Sequence, residues 1–231
     1  MLIIIDKRLP AKAKSALEKE GQVLELETNG IVYDAISGHP DIFLTQMNDQ
    51  LVVAPNLPDR YIEHLQKWTK NVRIGSEKVG ITYPETARYN AVVSDNLLVH
   101  NLKITDETII RQADGKKFIH VNQAYTRCNL IFITPSQAIT SDAGIYKQLK
   151  SCGTEVFLFD PSFILLPGFK NGFFGGTCGL YGNRLFVTGN LKFHQQGKNL
   201  LFFCEKAGID IIELYDGHLF DGGGIFFIKP A

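Results

Sequence analysis

The chain of 231 residues is 45% hydrophobic and 21% charged, a composition that excludes a disordered tail and suffices for a large buried core. Lys plus Arg equals Asp plus Glu at 24 each, so no net field gathers a phosphate backbone or an anionic membrane surface, and nucleic acid is not an expected partner. The apolar run before Asp6 is shorter than a signal-peptide core or a membrane span, so a cytoplasmic protein free of membranes is expected.

Along the chain, strand-like apolar runs lead repeatedly to an Asx residue: Leu2-Ile3-Ile4-Ile5 before Asp6, Leu51-Val52-Val53 before Asn56, Leu97-Leu98-Val99 before Asn101, Ala138-Ile139-Thr140 before Asp142, and Leu185-Phe186-Val187 before Asn190. These Asx positions stand 50, 45, 41 and 48 residues apart, and the interval from Asn190 through the C-terminus back to Asp6 is another 47. A period of this size that closes on itself signals repeated supersecondary units, each covering its neighbour's apolar face.

The order inside a unit is constant. The Asx can accept hydrogen bonds from the free amides at a helix start. Helical stretches follow at 10–20, 58–70, 105–113, 145–151 and 195–207, several stopped by a glycine, at Gly21, Gly115, Gly153 and Gly208. β-rich segments come next, at 23–26, 72–74, 118–121, 156–159 and 209–214. A hairpin ends the unit, with turns at Gln46-Met47-Asn48-Asp49, Ser94-Asp95-Asn96, Thr134-Pro135-Ser136 and Tyr181-Gly182-Asn183-Arg184. The fifth unit has only its first hairpin strand, 225–228; pairing with 1–6 would supply the second and leave no open edge. The expectation is one α/β domain over residues 1–231, a five-unit propeller around a pseudo-fivefold axis, its ring closed by the N- and C-terminal strands.

A ring of five such units resembles the pentein, or guanidino-group-modifying, fold over the whole chain. The resemblance implies kinship with amidinotransferases and with hydrolases of arginine-like substrates such as arginine and agmatine deiminases, which use Cys, His and acidic residues on a central channel. It also admits a non-catalytic relative, since the fold includes a ribosome anti-association factor. The channel-facing place in each unit is then the start of the first hairpin strand. Counting back from the turns finds His39-Pro40-Asp41, Arg88-Tyr89-Asn90, Arg127-Cys128-Asn129, Gly175-Gly176-Thr177-Cys178 and Asp221-Gly222-Gly223-Gly224. Polar and glycine residues at five matching levels, each before an apolar strand, are the pattern a convergent cavity needs.

Within that set, His39 resembles the family's His-x-Asp stretch, where an imidazole serves as general base; a turn histidine capping a strand is the other reading. Asp221-Gly222-Gly223 resembles the acid-Gly-Gly stretch whose carboxylate pairs with the substrate guanidinium, and equally fits a tight turn or bulge. Cys128 lies five residues before Ile133 as His39 lies five before Leu44, which makes it the candidate nucleophile, with Arg127 able to lower its pKa; a packed structural cysteine is the alternative. Asp41, Arg88, Asn90, Arg127, Thr177 and Cys178 are the expected substrate-binding residues, and Cys178 is the rival thiol. Cys152 and Cys204 are expected to be inert. One departure stands out: family enzymes commonly keep the nucleophilic Cys in the last unit, where this chain has Ile225-Phe226-Phe227 after its glycine run.

His64, His120 and His194 lack partners at ligand spacing, His218 belongs to a loop, and His39 with Asp41 makes only two ligands, so no metal is expected. No Gly-x-Gly-x-x-Gly or phosphate-loop pattern occurs, and no cofactor is expected. Two functions remain in play. One is a hydrolase or transferase acting on the C–N bond of a guanidino or amidino compound, with Cys128 attacking, His39 moving protons and Asp221 with Asp41 holding the cation. The other is a non-catalytic binding protein on the same ring.

Overall fold

A computed structural model describes residues 1–47 and 50–230; Asn48 and Asp49, in the first expected turn, lie outside the described residues. The helices show why the sequence repeats. Each buries one side-chain pair spaced i, i+4, the spacing that puts two residues on one helical face: Ala13 and Leu17, Tyr61 and Leu65, Ile109 and Ala113, Ile145 and Leu149, Leu200 and Cys204. The strand before each helix is apolar on both faces. Leu2, Ile3, Ile4 and Ile5 are all fully buried, each stabilising the fold by about 1.5–3 kcal/mol.

Among the described residues the strands form five three-stranded sheets of one topology. In each blade a middle strand pairs antiparallel with an inner strand and parallel with an outer one. From inner to outer, the first blade is Leu44–Met47, Gln50–Val53 and Val72–Ile74. The second is Val92–Val93, Leu97–His100 and Lys117–His120. The third is Leu130–Thr134, Gln137–Thr140 and Glu155–Leu158. The fourth is Cys178–Tyr181, Arg184–Val187 and Asp210–Glu213. The fifth, Phe226–Ile228, Leu2–Asp6 and Gln22–Leu26, joins the two ends of the chain, with Leu2 opposite Ile228, Ile3 opposite Phe227 and Ile4 opposite Phe226. That is the expected closure. A cleft of about 670 Å³ receives Gln46, Val93, Ile131, Leu180 and Phe226, one from each inner strand, which puts the five inner strands around a common axis.

Two local features differ from the sequence reading. Cys178 begins its inner strand, but the other candidates stand before theirs, on or beside single turns: Pro40–Phe43 and Thr126–Asn129 are helical, Glu85–Ala87 and Gly175–Thr177 are 3-10, and Asp221 lies on a loop. Pro40 opens its turn with a fixed φ and no amide to satisfy, and the turn closes when Leu44 N donates to Pro40 O. The Asx residues divide as well. Asp142 caps its helix by accepting from Ile145 N at 2.7 Å, and Asp6, Asn101 and Asn190 accept from the amide two residues on. Asn56 instead exchanges paired bonds with the backbone of Val79, each 3.0 Å, and so ties down a loop.

Candidate functional site

The turns before the inner strands bring residues from four blades together at one end of the axis. Cys128 Sγ donates to Asp41 Oδ2 at 2.8 Å, linking positions 87 residues apart. Asn90 holds that pair in register: its side chain accepts from Cys128 N at 3.1 Å, donates to Asp41 O at 3.0 Å and lies 3.5 Å from Cys128 Sγ. Asp41 N donates to Gly223 O at 3.2 Å, which draws in the loop carrying Asp221. Gly223 has φ +70°, and a Cβ there would collide with the His39 side chain; only glycine lets this loop approach so closely. Asp221 accepts from Phe173 N at 2.8 Å and Gly223 N at 3.1 Å, and Gly176 packs so tightly on its carboxylate that any side chain would displace it.

His39 stands at the N-cap of the Pro40–Phe43 turn. Its Nε2 faces Asp6 Oδ2 at 3.9 Å, and Asp6 is itself clamped by Arg8, whose Nε donates to Oδ1 at 2.9 Å and NH2 to Oδ2 at 2.5 Å. His39 Nδ1 and Asp41 Oδ1 are buried without a hydrogen-bond partner. Among the described residues, ligand atoms of His39, Asp41 and Cys128 all lie within 4.8 Å of one another, a spacing that could hold a metal ion.

The electrostatics follow from burial. Asp41 is fully buried and its pKa is pushed up to about 6, burial outweighing the opposing pull of His39 and of the Cys128 bond. Burial likewise raises Asp221, against His39 and the two backbone amides. The Cys128 thiol is held well above its ordinary value by burial first and by the charges of Asp41 and Asp221 next, so it rests protonated. Over the cluster, Tyr33 and Tyr125 share a 3.0 Å hydroxyl contact, Tyr125 reaches Thr86 Oγ1 at 2.5 Å, and Phe169 packs at 6.0 Å from the Tyr33 ring.

The candidates thus divide by direction. His39, Asp41, Asn90, Cys128 and Asp221 converge. Arg127, on the same turn as Cys128, points the other way: its guanidinium donates to Gly175 O at 2.6 Å and Cys178 O at 3.0 Å, lies over the Phe226 ring, and lines the axial cleft. Thr177 donates its hydroxyl to Phe174 O, and Cys178 lies in an apolar core with Ile131, Ile139 and Leu185. Arg88 is half-buried near Glu85, its Nε without a partner. Sequence reasoning missed Asp6 as a neighbour of His39, having read it only as a helix cap; Arg8 two residues on, a cation beside a buried acid, was the available signal. The two tyrosines carried no signal beyond their nearness to the candidate loops.

The chain superposes over 92% of its length on DDAH from Pseudomonas aeruginosa, a Cys-to-Ser variant complexed with citrulline, with TM-score 0.57, 91% of that chain covered and 8% identity. It matches SxtG, an amidinotransferase from Microseira wollei in the saxitoxin biosynthetic pathway, with TM-score 0.54, 12% identity and coverage of 92% and 87% of the two chains. A Cys-to-Ser variant of C. jejuni agmatine deiminase with substrate bound gives TM-score 0.52, 12% identity and the same coverage. At such identities the likeness is one of fold: the chain has the pentein fold, the five-bladed α/β propeller of these proteins. Over residues 4–226 its sequence matches, and the chain belongs to, the family described as Family of unknown function (DUF6873). No curated protein sequence matches it. Among the described residues no helix is long and apolar enough to cross a membrane.

Proposed function

We propose that the protein cleaves the C–N bond of a guanidino or amidino compound by covalent catalysis at Cys128. The observation that carries this reading is the 2.8 Å contact from the Cys128 thiol to the Asp41 carboxylate, with His39 and Asp221 buried beside them. A buried site with two carboxylates raised by desolvation calls for a cation, and a planar guanidinium can donate paired hydrogen bonds to both. The same cation lowers the thiol pKa, because it offsets the two carboxylate charges that add to burial in keeping Cys128 protonated. Bringing in the substrate therefore switches on the nucleophile.

In the proposed reaction the thiol proton passes to Asp41 as Sγ attacks the guanidino carbon. The carbon–nitrogen bond then breaks, and the leaving nitrogen takes a proton from His39. The S-linked amidino group then passes to water in a hydrolase or to an amine in a transferase: the carbon–sulfur bond breaks, His39 accepts the proton of the incoming nucleophile, and Sγ recovers its proton from Asp41. Asp221 has acceptor capacity left beyond its two backbone bonds. Asn90 positions Cys128 against Asp41, and the unpartnered Arg88 Nε is assigned to an anionic group at the far end of the substrate. Incubation with agmatine or arginine, followed by intact-mass analysis of the quenched protein and assay of released ammonia or amine, is the test. An amidino adduct on wild type that is absent from Cys128→Ser supports the reading; turnover that survives Cys128→Ser overturns it.

A further inference from the structure

The three side chains that meet at this site also form a donor set. A ring nitrogen of His39, a carboxylate oxygen of Asp41 and Cys128 Sγ lie within 4.8 Å of one another, all on buried residues. Two acceptor-capable atoms among them, His39 Nδ1 and Asp41 Oδ1, have no partner, and both residues are no more than 1% exposed. Leaving a buried acceptor unpaired costs on the order of 1–3 kcal/mol, and one cation between them would satisfy both. The sequence placed only His39 and Asp41 at ligand spacing, which is too few for tight binding; folding delivers the third ligand from 87 residues away.

We propose that His39, Asp41 and Cys128 form a binding site for Zn²⁺, with the fourth tetrahedral position left to water or a small ligand. A nitrogen, a thiolate and a carboxylate together select Zn²⁺ over Mg²⁺ or Ca²⁺, which take oxygen ligands. The ion would balance the Asp41 carboxylate and a Cys128 thiolate; the thiol proton leaves to solvent as the S–Zn bond forms, with no change of oxidation state. Behind the histidine a carboxylate stands nearby, outside hydrogen-bonding distance. Nε2 is the nitrogen turned toward Asp6, at 3.9 Å, and the Arg8 clamp fixes that carboxylate, as partners behind metal-ligating histidines are usually fixed. A metal here engages the sulfur and the carboxylate that a guanidino group needs, so Zn²⁺ and substrate exclude each other; that competition, unlike the binding itself, rests on the function proposed above.

Full-length protein stripped with chelator and titrated with Zn²⁺ against a chromogenic chelator is expected to take up one equivalent. Co²⁺ in its place is expected to give the near-ultraviolet charge-transfer absorption of a cobalt–thiolate bond. Cys128→Ser should abolish that absorption and weaken Zn²⁺ binding by about 100-fold, Asp6→Asn should weaken it by about 10-fold, and Cys152→Ser, at an exposed thiol, should change neither. Should Cys128→Ser fold poorly, peptide mapping of alkylated wild type provides the same reading, since bound Zn²⁺ must protect Cys128. No uptake in competition with the chelator, a band that survives Cys128→Ser, or no protection of Cys128 overturns the site. The measurements need no substrate, so the two proposals separate. Zn²⁺ bound through Cys128 in a protein that leaves guanidino compounds intact supports the site and sinks the reaction, and turnover without Zn²⁺ binding sinks the site alone.

Discussion

The two ends of the pseudo-fivefold axis are built from the same five inner strands, yet they differ in kind. Where the strands begin, Asp41 and Asn90 are fully buried, Cys128 is 4% exposed, and polar groups bond to one another across blades. Along the strands and out to where they turn back, a cleft of about 670 Å³ opens, lined by apolar residues such as Val93, Ile131 and Ile133 and by polar ones such as Gln46, Asp95 and Lys229 that make no bonds across to the cysteine cluster. The strands themselves are interchangeable hydrophobic elements. The difference comes from what precedes them: single helical turns and glycine loops at one end, hairpins at the other. In a repeated fold the repeat provides the frame, and the segments least like one another provide the chemistry.

The sharpest way to break this comparison is at the cysteines. Cys128→Ser, nearly isosteric, is expected to lower guanidino turnover on the order of 10⁴-fold or more with little change in melting temperature, measured as ammonia release alongside thermal denaturation. The cysteine of the fourth blade, two positions further along at the start of its strand, should behave otherwise. Cys178, its thiol pushed up to about 12 by burial, sits in the apolar core, so Cys178→Ser should cost stability and leave turnover within a few fold.

A cavity cut at the open end tests whether the two ends are independent. Ile133→Ala removes a side chain that is 2% exposed and should cost about 2–4 kcal/mol in urea denaturation, with kcat unchanged. A proportionate fall in kcat would show that the cleft end shapes the site.

At the closed end the sign is reversed. In metal-free protein the folded-state pKa of Asp41, about 6, lies above its unfolded value of 3.8, so its favourable contribution is present below about pH 4 and is lost as pH rises through about 6. Asp41→Asn should therefore raise stability at pH 7 by up to about 3 kcal/mol, with the gain fading toward pH 4, while turnover is lost. Denaturation curves at the two pH values decide it; a variant destabilised at pH 7 would refute the burial argument. The smallest effect belongs to the frame: Asp142→Ala, which removes the cap on Ile145 N, should cost about 1 kcal/mol and leave kcat as it was.

The sequence by itself determined the ring. The closing 47-residue interval, the apolar strands and the Asx starts are local patterns, and the structure returns them as five like blades joined through 1–6 and 225–228. Counting back from the turns also picked out candidates near one level, which the structure sets just before the inner strands and not at their starts. Direction was not countable. Arg127 and Cys128 are adjacent, but successive residues on a helical turn point about 100° apart, so one side chain binds the carbonyls of Gly175 and Cys178 while the other meets Asp41. Asp6 carried the signature of a cap and proved to face His39 as well. Only the tertiary structure could decide these, because the partners that orient each side chain, Asn90 for Cys128 and Gly223 for Asp41, come from other blades, and no local pattern encodes which groups a closed ring brings within hydrogen-bonding distance.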